Sequence, residues 1–200
     1  MSSDYKTIAG IAAAKHTVKK SRFFGEATSI DNRAAVKLFV ADVQARIRQA
    51  THYCYAYKLR SGDAKLEYAT DAGEPTNTAG PPILAAIRST GLTNIIVVVA
   101  RYYGGINLGI GGLIRAYGAC AKACLENAVL DTRTFYHNLQ VKASFSQIGT
   151  VVTLCKRLGG KVINIEYDPN PNISIRIRKK DLDYFKEQIK CIETTRTELK

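Results

Sequence analysis

The sequence predicts an α+β protein of two domains, residues 1–131 and 132–200, and three observations predict it. Segments of helical period alternate with segments of strand period along the whole chain. One run, NIIVVVA, is apolar enough for a strand buried on both faces. From about Thr132 the pattern begins again, in the order β-α-β-β-α.

Within the first domain, SRFFGEATSI reads as a strand leading into Asp31, which is placed to cap a helix. In the following DNRAAVKLFVADVQARIRQA, Val36, Phe39, Val40, Val43 and Ile47 recur at spacings of three and four and form one buried stripe. THYCYAYKLR then switches to period two. Tyr53, Tyr55, Tyr57 and Leu59 occupy one face, and His52, Cys54, Ala56 and Lys58 the other. SGD is a turn and LEYAT a partner strand. DAGEPTNTAGPP is a loop of twelve residues, a length that usually carries function. ILAAIRSTG is a short helix closed by Gly91, and NIIVVVARYY is the central strand. A glycine-rich turn separates it from the helix LIRAYGACAKACLENAVL, which turns Leu113, Tyr117, Cys120, Cys124 and Leu125 to one side.

The second domain reads as strand FYHNLQVKASF, helix SQIGTVVTLCKRLGG, strand KVINIEY, turn DPNPN, strand ISIRIRKK and helix DLDYFKEQIKCIE. TRTELK is a candidate last strand. This order is the split βαβ or ferredoxin-like arrangement.

Composition narrows the class. With 46% apolar residues among 200, the chain can bury a sizeable core. No stretch approaches the roughly 18 apolar residues of a membrane span. The opening MSSDYKTIAG has neither a basic nor an apolar signal region, so a cytoplasmic protein with no membrane partner is expected. Five cysteines, widely spread and without a C-x-x-C pair, argue against a disulfide framework and against zinc, and no metal or cofactor is expected. The net charge is +12, from 29 Lys and Arg against 17 Asp and Glu, and it divides into +6 on each side of Asp131. So general an excess suits polyanionic partners such as RNA, ribosomes or acidic protein surfaces.

The residues nominate one place for chemistry. Gly104, Gly105, Gly109, Gly111 and Gly112 fall within nine residues, between a strand and a helix. A strand, a glycine turn and a helix start together expose free amides to an anion. Neither the phosphate-loop lysine and hydroxyl nor the third glycine of a dinucleotide turn is present. Two readings stay open: an anion site, or glycines that let backbone pack against backbone. Arg101 and Arg115 flank the turn, and Tyr102 and Tyr103 add the stacking surface that suits single-stranded RNA. An ion pair from Arg101 to Asp71 or Glu74 is the preferred reading of Arg101. If the protein is an enzyme, Asp71, Glu74 and His52 are its acid and base groups. Cys54 shares a strand face with His52, but beside Ala56 it reads as a core thiol rather than a nucleophile. In ISIRIRKK, Ile173, Ile175 and Ile177 face inward while Ser174, Arg176 and Arg178 face outward, which makes a basic stripe.

The motifs resemble those of the IMPACT family. They are SRF from Ser21, HYCYAY from His52, DAGEPTNTAGPPIL from Asp71 and VVVARYYGGINLGIGGLIRAY from Val97. The matching residues include His52, Cys54, Asp71, Gly73, Glu74, Pro75, Thr78, Gly80, Arg101, Arg115 and Tyr117 with the five turn glycines. The resemblance implies a first domain similar to the second domain of small-subunit ribosomal protein five. It implies a second domain similar to the last domain of elongation factor G. It also implies a role in translational control, since eukaryotic members restrain a starvation-activated initiation-factor kinase. Family members often carry a second acidic residue where Ala72 stands, and its absence weakens an enzymatic reading. The expectation is therefore a non-enzymatic module that binds RNA or a ribosome-associated protein and regulates translation. A small-substrate enzyme, hydrolytic or phosphate-handling, and a structural interaction platform are the alternatives.

Overall fold

A computed structural model describes residues 4–61, 64–167 and 169–191. The chain divides into two units. One is Lys6–Arg133, and the other holds Asp4, Tyr5 and the described residues from Thr134 onward.

The strands Asp4–Ala9 (β1), Ile11–Val18 (β2) and Ser21–Ser29 (β3) lead into the helix Arg33–Arg46 (α1). His52–Ser61 (β4), Ala64–Thr70 (β5), the helix Gly80–Thr90 (α2), Ile95–Tyr102 (β6) and the helix Gly109–Glu126 (α3) come next along the chain. The main sheet of the first unit is antiparallel, in the order β2-β3-β6-β4-β5, so the most apolar segment lies at its centre. Ile95 to Arg101 are all buried, because both faces of β6 are covered. Against one face pack Ile83 and Ile87 of α2 and Leu113, Tyr117, Cys120 and Cys124 of α3. Against the other pack Val36, Phe39 and Val43 of α1. The alternation in β4 sorts its side chains accordingly, Cys54 and Ala56 toward α2 and α3, Tyr57 and Leu59 toward α1.

Several boundaries differ from the sequence expectation. β1 and β2 were not expected; they flank Gly10, whose φ of +66° turns the chain between them. The cap of α1 is Asn32 and not Asp31, its Oδ1 accepting the Ala35 amide at 2.9 Å. The loop after β5 ends sooner, because α2 starts at Gly80 with prolines in its first turn. The last helix of the unit starts at Gly109 rather than Leu113 and stops at Glu126. Val129–Thr134 is then a strand (β7), which pairs with β1.

The second unit carries Tyr136–Lys142 (β8), Ile148–Arg157 (α4), Lys161–Tyr167 (β9), Pro171–Arg178 (β10) and Leu182–Cys191 (α5). Its antiparallel sheet has the order β8-β10-β9. Ile173, Ile175 and Ile177 are buried with Val151, Cys155, Phe185 and Ile189. Pro171 and Asn172 extend the strand into the segment expected to be a turn. The candidate strand TRTELK lies outside the described residues.

The molecule is thus a mixed α and β protein with five α-helices and three sheets among its described residues. No helix among them is long and apolar enough to cross a membrane.

Candidate functional site

The register of β4 on β6 sets His52 opposite Arg101 and Cys54 opposite Val99. These residues face α2 and α3, and the loop after β5 closes over them. Arg101 and Glu74 have side chains only 7% and 3% exposed, and Arg101 Nη1 donates to Glu74 Oε1 at 2.6 Å. The Tyr117 hydroxyl, from α3, donates to the same oxygen at 2.8 Å. Behind it the Cys54 thiol lies 3.4 Å from the Tyr117 oxygen and 2.9 Å from the Asp71 carbonyl. Arg101 Nη2 reaches Ser21 Oγ at 3.4 Å, and that oxygen also accepts the Gly104 amide at 3.2 Å. The rings of Phe23 and Tyr103 flank the guanidinium. Arg101 is therefore the hub of a buried network rather than a free surface cation, and its Nε is the one nitrogen of the group left without a hydrogen bond.

The loop holds its shape through Asp71. Oδ1 accepts the Ala79 and Gly80 amides at 2.8 Å each, and Oδ2 accepts the Asn77 amide at 2.8 Å. Because Ala79 at the start of α2 has no side chain to cap it, Asp71 does so from nine residues away from Gly80. Partial burial works to raise the Asp71 pKa, and the amides of Gly80, Ala79, Asn77 and Thr78 outweigh it, so the carboxyl sits below its ordinary range. Gly73, at φ +90°, packs against the His52 ring, whose Nδ1 lies 3.0 Å from the Ala72 carbonyl.

A cavity of about 480 Å³ opens above this network, lined by His52, Glu74, Arg101, Tyr103, Gly109 and Ile110 among others. The carboxylate loop, Arg101 and the start of α3 thus meet at one place. Other residues singled out in the sequence do not. Tyr102 follows Arg101 on the strand, so it points to the opposite face, where its hydroxyl donates to the Arg48 carbonyl at 2.5 Å. Arg115 is exposed, does not line the cavity and lies back along its own helix over Gly111. A methyl at Gly104 would overlap the backbone of Lys20 and Ser21. Gly105 and Gly109 have open space and φ of +78° and +70°, while Gly111 and Gly112 lie in the first turn of α3. In the second unit Arg176 is exposed, and Arg178 is half-buried with Nε 2.7 Å from Asp181 Oδ2.

The thiols are quiet. Burial pushes the Cys54 pKa up to about 12, against the pull of its bond to Tyr117, and burial does the same for Cys120 and Cys124. Tyr117 is pushed far up, first by burial and then by Cys54 and Glu74, and so remains a proton donor. Among the described residues no three His, Cys, Asp or Glu side chains come together as a metal would require. Sequence reasoning did not assign Ser21 or Tyr117 a bonding role. Nothing short of the fold brings them to Arg101, since Ser21 is 80 residues away from it in the chain.

Known proteins share this arrangement of motifs. The family model of the Impact N-terminal domain matches residues 19–125. The IMPACT family member YigZ of Escherichia coli is 36% identical over 151 residues, covering 75% of this chain and 74% of its own. The IMPACT family member YvyE of Bacillus subtilis is 27% identical over 200 residues, covering 100% of this chain and 92% of its own. A crystal structure described as that of a hypothetical protein superposes with a TM-score of 0.76 at 29% identity, over 96% of this chain and 94% of that one. More than half of the chain thus matches the family's domain, and the chain belongs to the IMPACT family.

Proposed function

We propose that the protein is a non-enzymatic cytoplasmic module that regulates translation by binding RNA, free or within ribosomal particles. The observation that carries this reading is the direction of its charges. Asp71 and Glu74, the acids of the central motif, are spent inside on backbone amides and on Arg101 and Tyr117. Arg22, Arg48, Arg115 and Arg176 stand exposed, on a chain with net charge +12. Acids with no free role and an outward basic excess support binding of a polyanion over acid/base catalysis. Membership of a family with known translational regulators supplies the process.

The cavity beside His52 and Glu74 favours a second reading, an enzyme for a small substrate. Glu74 serves it poorly as a base, because its Oε1 already accepts two hydrogen bonds.

Cosedimentation with purified ribosomes, before and after ribonuclease treatment, tests the proposal. Pelleting that falls with rising salt and is lost on digestion supports it. Pelleting that survives digestion points to a ribosomal protein as the partner, and none at low salt overturns it.

A further inference from the structure

We infer that the part of the main sheet left uncovered by α1 is a platform for single-stranded RNA, built from Lys15, Arg22, Phe24 and Tyr102. The inference rests on the RNA-binding reading above and gives it a surface. That surface is not the cavity.

Strand alternation and register assemble it. Lys15 on β2 pairs with Phe24 on β3, and Arg22 on β3 pairs with Tyr102 on β6, so all four side chains leave the same face of the sheet. The two rings meet edge to face, with centroids 5.6 Å apart, and both are half-buried rather than covered. Each has a cation over it: Lys15 Nζ lies 5.2 Å from the Phe24 centroid, and the Arg22 guanidinium 5.1 Å from that of Tyr102. Lys15 and Arg22 are exposed, as are Lys19 and Lys20 in the β2-β3 turn and Arg48, whose carbonyl holds the Tyr102 hydroxyl.

Charge chooses the occupant. Lys15, Lys19, Lys20 and Arg22 make no ion pair among the described residues. The carboxylates of Glu26, next along β3, and of Asp42 on α1 are both held by Arg46. Cations therefore meet no local acid, and they stand beside aromatic rings on one face of the sheet. Unstacked bases can lie on the rings or on the guanidinium plane while phosphates reach the lysines, and a paired helix offers no free base to such a surface.

The test is fluorescence anisotropy of the full chain with a labelled twelve-nucleotide oligouridylate, at low salt. The double variant K15E/R22E should weaken binding roughly tenfold or more and flatten its salt dependence. F24L, which keeps an apolar side chain in the sheet, should weaken it roughly fivefold or more by removing a stacking face. Circular dichroism and melting temperature establish that both variants fold. R115E, on α3 against the opposite face of the sheet, should lower affinity by less than either. The platform is overturned if the wild type binds the oligonucleotide and both platform variants bind it equally well. It is also overturned if an RNA duplex or a phosphatidylglycerol vesicle competes as well as the single strand. Absence of any wild-type binding to RNA or ribosomes instead overturns the functional reading itself.

Discussion

Glu74 Oε1 and Arg101 Nη1 lie 2.6 Å apart in the interior of the first unit, and the Tyr117 hydroxyl bonds the same oxygen from α3. A buried guanidinium is tolerated only while its charge is answered, and here the answer comes from the loop that bears the family's central motif. The contact therefore joins β6, α3 and that loop into one piece.

Removing the acid should unfold rather than merely inactivate. Glu74→Gln leaves Arg101 buried without a counter-charge and should cost about 3–5 kcal/mol. Differential scanning calorimetry checks this as a large drop in melting temperature. A protein of unchanged stability would return Glu74 to the groups free for catalysis.

Asp71 should show itself through pH. Its pKa is depressed in the folded state below the ordinary 3.8, so its contribution is fully present above that value and is lost as pH falls through the folded pKa. Asp71→Asn should cost about 1–2 kcal/mol at neutral pH, as loss of a helix cap does. Below pH 4 the difference should shrink, because the wild type loses the same interaction. Urea titrations of both proteins at pH 7 and pH 3 measure it.

The glycines should separate by mechanism. Gly104→Ala drives a methyl into the Lys20–Ser21 backbone and should cost about 3 kcal/mol or more. Gly105→Ala meets open space and only the strain of a positive φ, about 1–2 kcal/mol. Chemical denaturation midpoints of the two variants should fall in that order.

Cys54, Cys120 and Cys124 should resist alkylation in the native protein. All three are buried, with thiols pushed up to about 12. Iodoacetamide at pH 8 with subsequent peptide mass spectrometry should find them unmodified, and modified once guanidinium is added. Fast native labelling of Cys54 would restore it as a nucleophile.

Much of this was legible before any fold was known. The period-two run from His52 sorted Tyr57 from Cys54 because the sheet has two different covers, and the density of Ile95 to Val99 marked the central strand. The preference for an ion pair at Arg101 was met by Glu74. β2 is not legible because IAAAKHTV is too alanine-rich to display the alternation it obeys, and Lys15 and the platform are hidden with it. Glycines suppress helix propensity and so hide the start of α3, yet Ile110 to Gly112 are held helical by the buried stripe of Leu113, Tyr117 and Cys120 that anchors the rest of the helix, while Gly109 at φ +70° makes the turn into it. Adjacency in sequence suggests that Tyr102 stands beside Arg101. Strand geometry separates such neighbours, and that signal was available in the alternation itself.

The most direct measurement is the affinity of the intact protein for a ribosomal RNA fragment across a potassium chloride series. A straight decline of log affinity with log salt, with a slope equivalent to several released counterions, is the expected result. Affinity indifferent to salt, or no affinity at the lowest concentration, would contradict it.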